Sequence, residues 1–97
     1  NSSNLPSQTI LHQSYPNPFN SEVVIKYEFS ENQHVRLTVY DITGKEVITF
    51  DQNQPPGVHR VKWQGKNQKG GEVTSGIYVY QLNAGHFIET QKAVFVK

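Results

Sequence analysis

From Val23 onward the chain alternates apolar and polar positions. Val23, Ile25, Tyr27 and Phe29 share one parity while Lys26 and Glu28 take the other, which is the pattern of a strand buried on one face. Residues 34–41 repeat it, with Val35, Leu37 and Val39 directed inward, Arg36 and Thr38 outward, and Tyr40 on the outer face. Residues 45–51 are equally β-rich but split, because Glu46, Ile48 and Phe50 compete with Val47 and Thr49 for the core side. In residues 57–64, His59, Val61 and Trp63 read as inward and Val58, Arg60 and Lys62 as solvated. Residues 76–82 show no polar alternation until Gln81, which predicts a central strand covered on both faces. The last segment, 86–97, sets Phe87, Ala93 and Phe95 against Ile88, Val94 and Val96. With residues 9–13 as a short first strand, seven strands follow one another at the spacing of a β-sandwich, and no amphipathic helix of useful length interrupts them.

Turn chemistry separates these runs. In Asp41-Ile42-Thr43-Gly44-Lys45 the aspartate is placed to accept from backbone N–H groups ahead of it, and Gly44 to take the left-handed position. Pro55-Pro56-Gly57 is a second stop and Asn83-Ala84-Gly85-His86 a tight last hairpin. The polar run 65–71 is the longest interruption and is expected to join the two sheets across one end. Pro16 and Pro18 fix φ, remove two backbone donors and push Tyr15 and Asn17 toward extended geometry. The stretch Tyr15-Pro16-Asn17-Pro18-Phe19-Asn20 is therefore expected to be a stiff, nearly extended strap outside any central strand. In it Tyr15 and Phe19 serve as apolar anchors, and Asn17 and Asn20 bond unpaired backbone.

Composition narrows the functional classes. At 97 residues there is room for one modest core and no second domain. A net charge of +1 with both signs interspersed gives no field directed at nucleic acid or an anionic membrane, so charge names no partner. Cysteine is absent, which removes disulfides and thiolate chemistry together. No apolar run approaches the roughly 20 residues of a membrane span, and the opening NSSNLPSQ lacks the basic and apolar regions of a signal peptide. Methionine is also absent, so the chain reads as a piece of a longer protein: residues 1–8 as a linker remnant, residues 9–97 as the domain.

Catalytic constellations are not legible. His12, His34, His59 and His86 lie more than twenty residues apart, without a metal-binding pair, and the carboxylates are scattered. The 65–71 loop resembles a degenerate cation loop but offers Asn67 and Gln68 where calcium favours carboxylates. The serines lack a nucleophile elbow, Gly70-Gly71 precedes a strand instead of a helix, and Asn1-Ser2-Ser3 is a formal glycosylation match in a polar tail. Tyr15, Phe19, Tyr40, Trp63, Tyr78 and Tyr80 could form a sugar-stacking platform or fill a core about 10 Å thick. The expectation is a non-enzyme without catalytic residues, cofactor or metal.

Several stretches stand in a recognisable order: LHQSYPNPFN, VIKYEF, VYDITGKEV, GVHRVKWQG, GGEVTSGIYVYQL and ETQKAVFVK. Across residues 10–97 the chain resembles the type A C-terminal sorting domain of proteins exported by the type IX secretion system, and is similar to the related Ig-like domain of flagellar hook-capping proteins. The resemblance implies a seven-stranded immunoglobulin/fibronectin-III-like β-sandwich at the end of a larger secreted cargo. Such a domain is an address read by an outer-membrane translocon and its shuttle protein, and it is removed by a sortase-like peptidase that would cut near residues 1–8. It would pass through the periplasm to the cell surface or medium without inserting in the membrane. Tyr15 to Asn20 match the first motif, Tyr40, Asp41, Gly44 and Lys45 the hairpin motif, Ser75, Gly76 and Tyr78 the late motif, and Lys92 and Lys97 the basic tail. Ser14 stands where the motif usually has asparagine, Ser21 and Glu22 where proline and threonine often follow, and Asn67 where an acidic residue is common.

Two alternatives share the fold: a structural or accessory domain of hook-cap type, and a carbohydrate-binding module attached to a glycoside hydrolase. The sorting reading is preferred because the chain ends directly after its last strand. Its expected contact surface is the last hairpin, residues 76–97, with Lys92 and Lys97 offered to a carboxylate-bearing receptor. The strap then lies at the opposite end of the sequence from the address.

Overall fold

The computed structural model describes residues 9–97, so the segment assigned to linker and cleavage lies outside the described residues. Seven strands form: β1 (Ile10–Leu11), β2 (Val23–Phe29), β3 (Gln33–Tyr40), β4 (Glu46–Gln54), β5 (Gly57–Trp63), β6 (Gly76–Ala84) and β7 (Phe87–Phe95). They pair antiparallel into a three-stranded sheet, β1-β2-β5, facing a four-stranded one, β4-β3-β6-β7. This is the sandwich that the alternation predicts.

The inward parities of β2 and β3 hold throughout. Val23, Ile25, Tyr27 and Phe29 meet Val35, Leu37 and Val39 in the core, joined by Trp63 of β5, Tyr78, Tyr80 and Leu82 of β6, and Ala93 and Phe95 of β7. Chain segments cross between the sheets at Pro55-Pro56 and again through the 65–71 run, as expected of the longest polar interruption.

Three expectations change. Thr38 is buried, not solvated. It sits on the outer face of β3 between Thr49 of β4 and Gln81 of β6, and those neighbours shade it; the Thr49 hydroxyl lies 3.3 Å from its own. Strand β6 is central in its sheet but covered on one face only, since Ile77 is exposed and Val79 and Gln81 are half-buried. The split parity of β4 is resolved by a bulge: Val39 faces Ile48, but Tyr40 faces Glu46, so Val47 is the extra residue. A bulge lets residues of both parities approach the core, and Val47, Ile48 and Phe50 all pack against it.

Candidate functional site

Strand β7 is the last strand of its sheet and would leave a row of backbone groups unpaired. The Tyr15-to-Asn20 segment closes that row from Lys92 to Val96. Tyr15 first pairs with Val24 on the opposite sheet, its N–H donating to the Val24 carbonyl at 3.1 Å and its carbonyl accepting from Val24 at 2.8 Å. Four residues later the Phe19 N–H donates to the Val94 carbonyl at 2.9 Å, and the Phe19 carbonyl accepts from the Val96 N–H at 2.8 Å. Between them the Asn17 side chain stands in for a strand. Its Oδ1 accepts from the Val94 N–H at 2.9 Å and its Nδ2 donates to the Lys92 carbonyl at 3.2 Å, which also accepts from Gln13 Nε2 at 3.1 Å.

The strap is bent instead of extended, with both X–Pro bonds cis, because it must leave β2 at Tyr15 and reach β7 at Phe19. Its anchors are also unequal. Phe19 is buried, stacked on Phe95 with ring centroids 4.8 Å apart and tilted against Trp63 at 5.5 Å, whereas Tyr15 is 49% exposed. Asn17 makes the expected bonds to backbone, but Asn20 is exposed and makes none among the described residues.

Where the strap leaves the first sheet, Tyr80 holds it from beneath. The buried Tyr80 hydroxyl accepts from the Ser14 N–H at 2.8 Å and donates to the His12 carbonyl at 3.1 Å. Desolvation raises its pKa above the ordinary tyrosine value, a rise opposed by the nearby Ser14 side chain and by the Ser14 N–H. Ser14 itself is buried, and its Oγ, beside the Tyr80 hydroxyl, makes no hydrogen bond of good geometry among the described residues.

The other sequence-derived positions gather at the same end of the sandwich. Gly76 faces Phe95 across β6 and β7, the Ser75 hydroxyl accepts from the Lys97 N–H at 2.9 Å, and the Tyr78 hydroxyl donates to the Thr74 carbonyl at 2.6 Å beneath Trp63. Lys97 reaches Glu72 at 3.5 Å, so the two tail lysines differ: Lys97 is ion-paired, and Lys92 is exposed with its carbonyl bound by the strap. Tyr40 lies half-buried opposite Val79. In the β3–β4 turn the Asp41 Oδ1 accepts from the Thr43 hydroxyl at 2.6 Å, the Lys45 N–H at 3.0 Å and the Thr43 N–H at 2.9 Å, with Gly44 at φ +90°. The Thr43 hydroxyl, followed by the Lys45 N–H, lowers the Asp41 pKa.

Three contributors escaped the sequence reading. Gly65 lies so close under Phe95 that a Cβ there would sit 2.7 Å from the ring. The Trp63 indole N–H donates to the Lys66 carbonyl at 2.9 Å. Gln68 docks on β4, donating its N–H to the Val47 carbonyl at 3.0 Å and accepting the Thr49 N–H on Oε1 at 2.9 Å. A turn glycine just after a buried-parity tryptophan was the only local signal for the first.

Asn67 spends its Oδ1 on the Lys69 and Gly71 N–H groups of its own loop, and no group of three or more potential metal ligands occurs among the described residues. No sugar platform forms from the six aromatics. Phe19, Trp63, Tyr78 and Tyr80 are core, and Tyr40 is half-buried.

Residues 19–86, which hold β2 to β6, match a known family. The chain belongs to the FlgD Ig-like domain family. No curated protein matches it. Among solved structures, this Ig-like domain is similar to dimeric latent PorU from Porphyromonas gingivalis, with a TM-score of 0.74 and 18% identity, covering 95% of this chain and 10% of that one. It is also similar to PorZ, an essential surface component of the type IX secretion system of the same organism, at a TM-score of 0.65 and 18% identity over 90% of this chain and 11% of that one. FlgD from P. aeruginosa gives 0.65 and 16%, over 91% and 74%. At these identities the likeness is one of fold. The chain spans about a tenth of the PorU and PorZ chains.

Proposed function

We propose that this Ig-like domain is a non-catalytic sorting domain that directs a preceding cargo across the outer membrane by type IX secretion. The observation that carries the reading is the convergence of the Tyr15–Asn20, Asp41–Lys45 and Ser75–Tyr78 motifs at one end of the sandwich, with the first and third fastened to β7 and its tail. The fold shared with PorZ and PorU supports it. The receptor surface is then composite: the exposed Lys92 and the last residues of β7, held in place by the strap. A translocon and shuttle protein would read that surface, and a sortase-like peptidase would act upstream of Thr9, leaving the cargo at the surface or in the medium.

A second reading, a structural Ig-like domain of hook-cap type, is favoured by the family match itself, which begins at Phe19 and stops at His86, short of β7. Export separates the two. A reporter carrying an N-terminal signal peptide and this domain at its C-terminus should reach the surface or medium of a bacterium with a type IX system. Removal of residues 91–97, or Lys92→Glu with Lys97→Glu in a chain that still melts cooperatively, should leave it in the periplasm. A reporter that stays in the periplasm with the intact domain overturns the sorting reading in favour of the structural one, and export undiminished by both changes removes the tail as the address.

A further inference from the structure

The solvent face of the three-stranded sheet carries charge that the net value of +1 conceals. Register sets it out in rows: Ile10, Glu28 and Val58; then His12, Lys26 and Arg60; then Tyr15, Val24 and Lys62. The carboxylate in this grid is already held, with His12 Nε2 2.7 Å from Glu28 Oε2. Lys26, Arg60 and Lys62 take part in no ion pair among the described residues. Lys26 and Arg60 are direct cross-strand partners, an arrangement of like charges that weakens a sheet. The four-stranded sheet treats its own cation differently, since Arg36 lies opposite Asp51 and bonds it at 3.3 Å.

Among the described residues strand β5 is also a free edge of its sheet, at the side away from the strap. An edge strand offers unpaired N–H and C=O groups to another extended chain. A strand added there places alternate side chains beside Val58, Arg60 and Lys62, the outer-face residues of β5. Arg60 and Lys62 are two residues apart, about 7 Å along an extended chain, which is the spacing of same-face side chains on such a strand. We propose that the β5 edge accepts an extended acidic segment of a partner protein, adding a strand whose carboxylates, every second residue, pair Arg60 and Lys62 and relieve the opposition of Arg60 to Lys26. Val58, 47% exposed, gives the same strand an apolar contact at one end. A protein segment fits better than an anionic lipid surface because a free backbone ladder, three cations and an exposed apolar side chain meet on one strand pair. Edge lysines that only deter aggregation need neither a like-charged partner in register nor spacing matched to a strand.

The test uses the 97-residue chain labelled with nitrogen-15 and a capped heptapeptide alternating glutamate and valine, at low salt. Amide shifts should concentrate in residues 57–63 and in 23–29 beside them, saturate with peptide, and weaken at least tenfold in Arg60→Glu/Lys62→Glu. That variant should bind the same peptide with lysine in place of glutamate, and it should melt no lower than the parent, because the new carboxylate at position 60 would face Lys26. No saturable shifts, shifts centred on β4 or β7, an unchanged affinity in the double variant, or a response to phosphatidylglycerol vesicles without one to the peptide would each overturn the proposal.

Discussion

The two edges of the four-stranded sheet meet the same problem with different resources. At β7 the closing segment comes from more than seventy residues away: Asn17 mimics a strand with its side-chain amide, Phe19 continues it with its backbone, and the Phe19 ring enters the core. At β4 the closing group is Gln68, which spends its backbone N–H on Val47 and its side-chain oxygen on Thr49. Both edges use an amide side chain where a strand is missing. Only β7 couples that cap to the core, so only there should loss of the closing segment unfold the domain.

The sharpest way to break this difference is Phe19→Ala. The substitution removes a buried ring that stacks on Phe95 and contacts Trp63, and it should lower the unfolding free energy by about 3 to 5 kcal/mol in a denaturant titration. A loss under about 1 kcal/mol would show that the strap merely lies against β7, and the two edges would then be equivalent.

The amides give a smaller and more direct contrast. Asn17→Ala removes two bonds to β7 and leaves the Val94 N–H unpaired, for an expected loss of about 1 to 2 kcal/mol. Gln68→Ala keeps the backbone bond to Val47 and loses only the one to Thr49, for about 0.5 to 1 kcal/mol. Amide hydrogen exchange should respond locally in each case, faster at Val94 in the first and at Thr49 in the second. Equal losses would mean that both caps act as surface loops of similar worth.

How much of this was legible depended on whether a feature is local. The alternation of β2 and β3 could be read because each strand buries one face against the other sheet, which makes parity a sufficient signal. The Asp41 turn was readable because its partners lie within four residues. Thr38 points outward as read, but its burial was not legible, because it comes from Thr49 and Gln81, which only the register places beside it. The parity of β4 was ambiguous for a physical reason, the Val47 bulge. Prolines revealed that the strap could not be a central strand, but not that it spans two sheets to reach β7. The sequence-level view that strap and tail are opposite ends therefore fails in space, where four hydrogen bonds join Asn17 and Phe19 to Lys92, Val94 and Val96. The row of Lys26 and Arg60 was hidden likewise, since thirty-four positions separate them along the chain and register alone makes them neighbours.

The smallest effect is expected at the root of the β7 closure, and its sign is what matters. Ser14 lies buried where the strap leaves β2; its N–H is satisfied by the Tyr80 hydroxyl, but its own hydroxyl makes no hydrogen bond of good geometry among the described residues. A buried hydroxyl without a hydrogen bond is a cost that the fold carries, of about 1 to 3 kcal/mol by comparison with mutational data. Ser14→Ala removes that group while keeping the backbone bond to Tyr80, so it should leave stability unchanged or raise it by up to about 1 kcal/mol, offset by the small space left behind. The measurement is the midpoint of a urea transition at constant slope. A clear loss of stability would mean that the Ser14 hydroxyl bonds a group such as an ordered water, and that the strap is held at its root by two polar anchors, not by Tyr80 alone. A gain would place the whole hold of the β7 edge in Tyr80, Asn17 and Phe19, leaving Ser14 as the one position where the closure works against the fold.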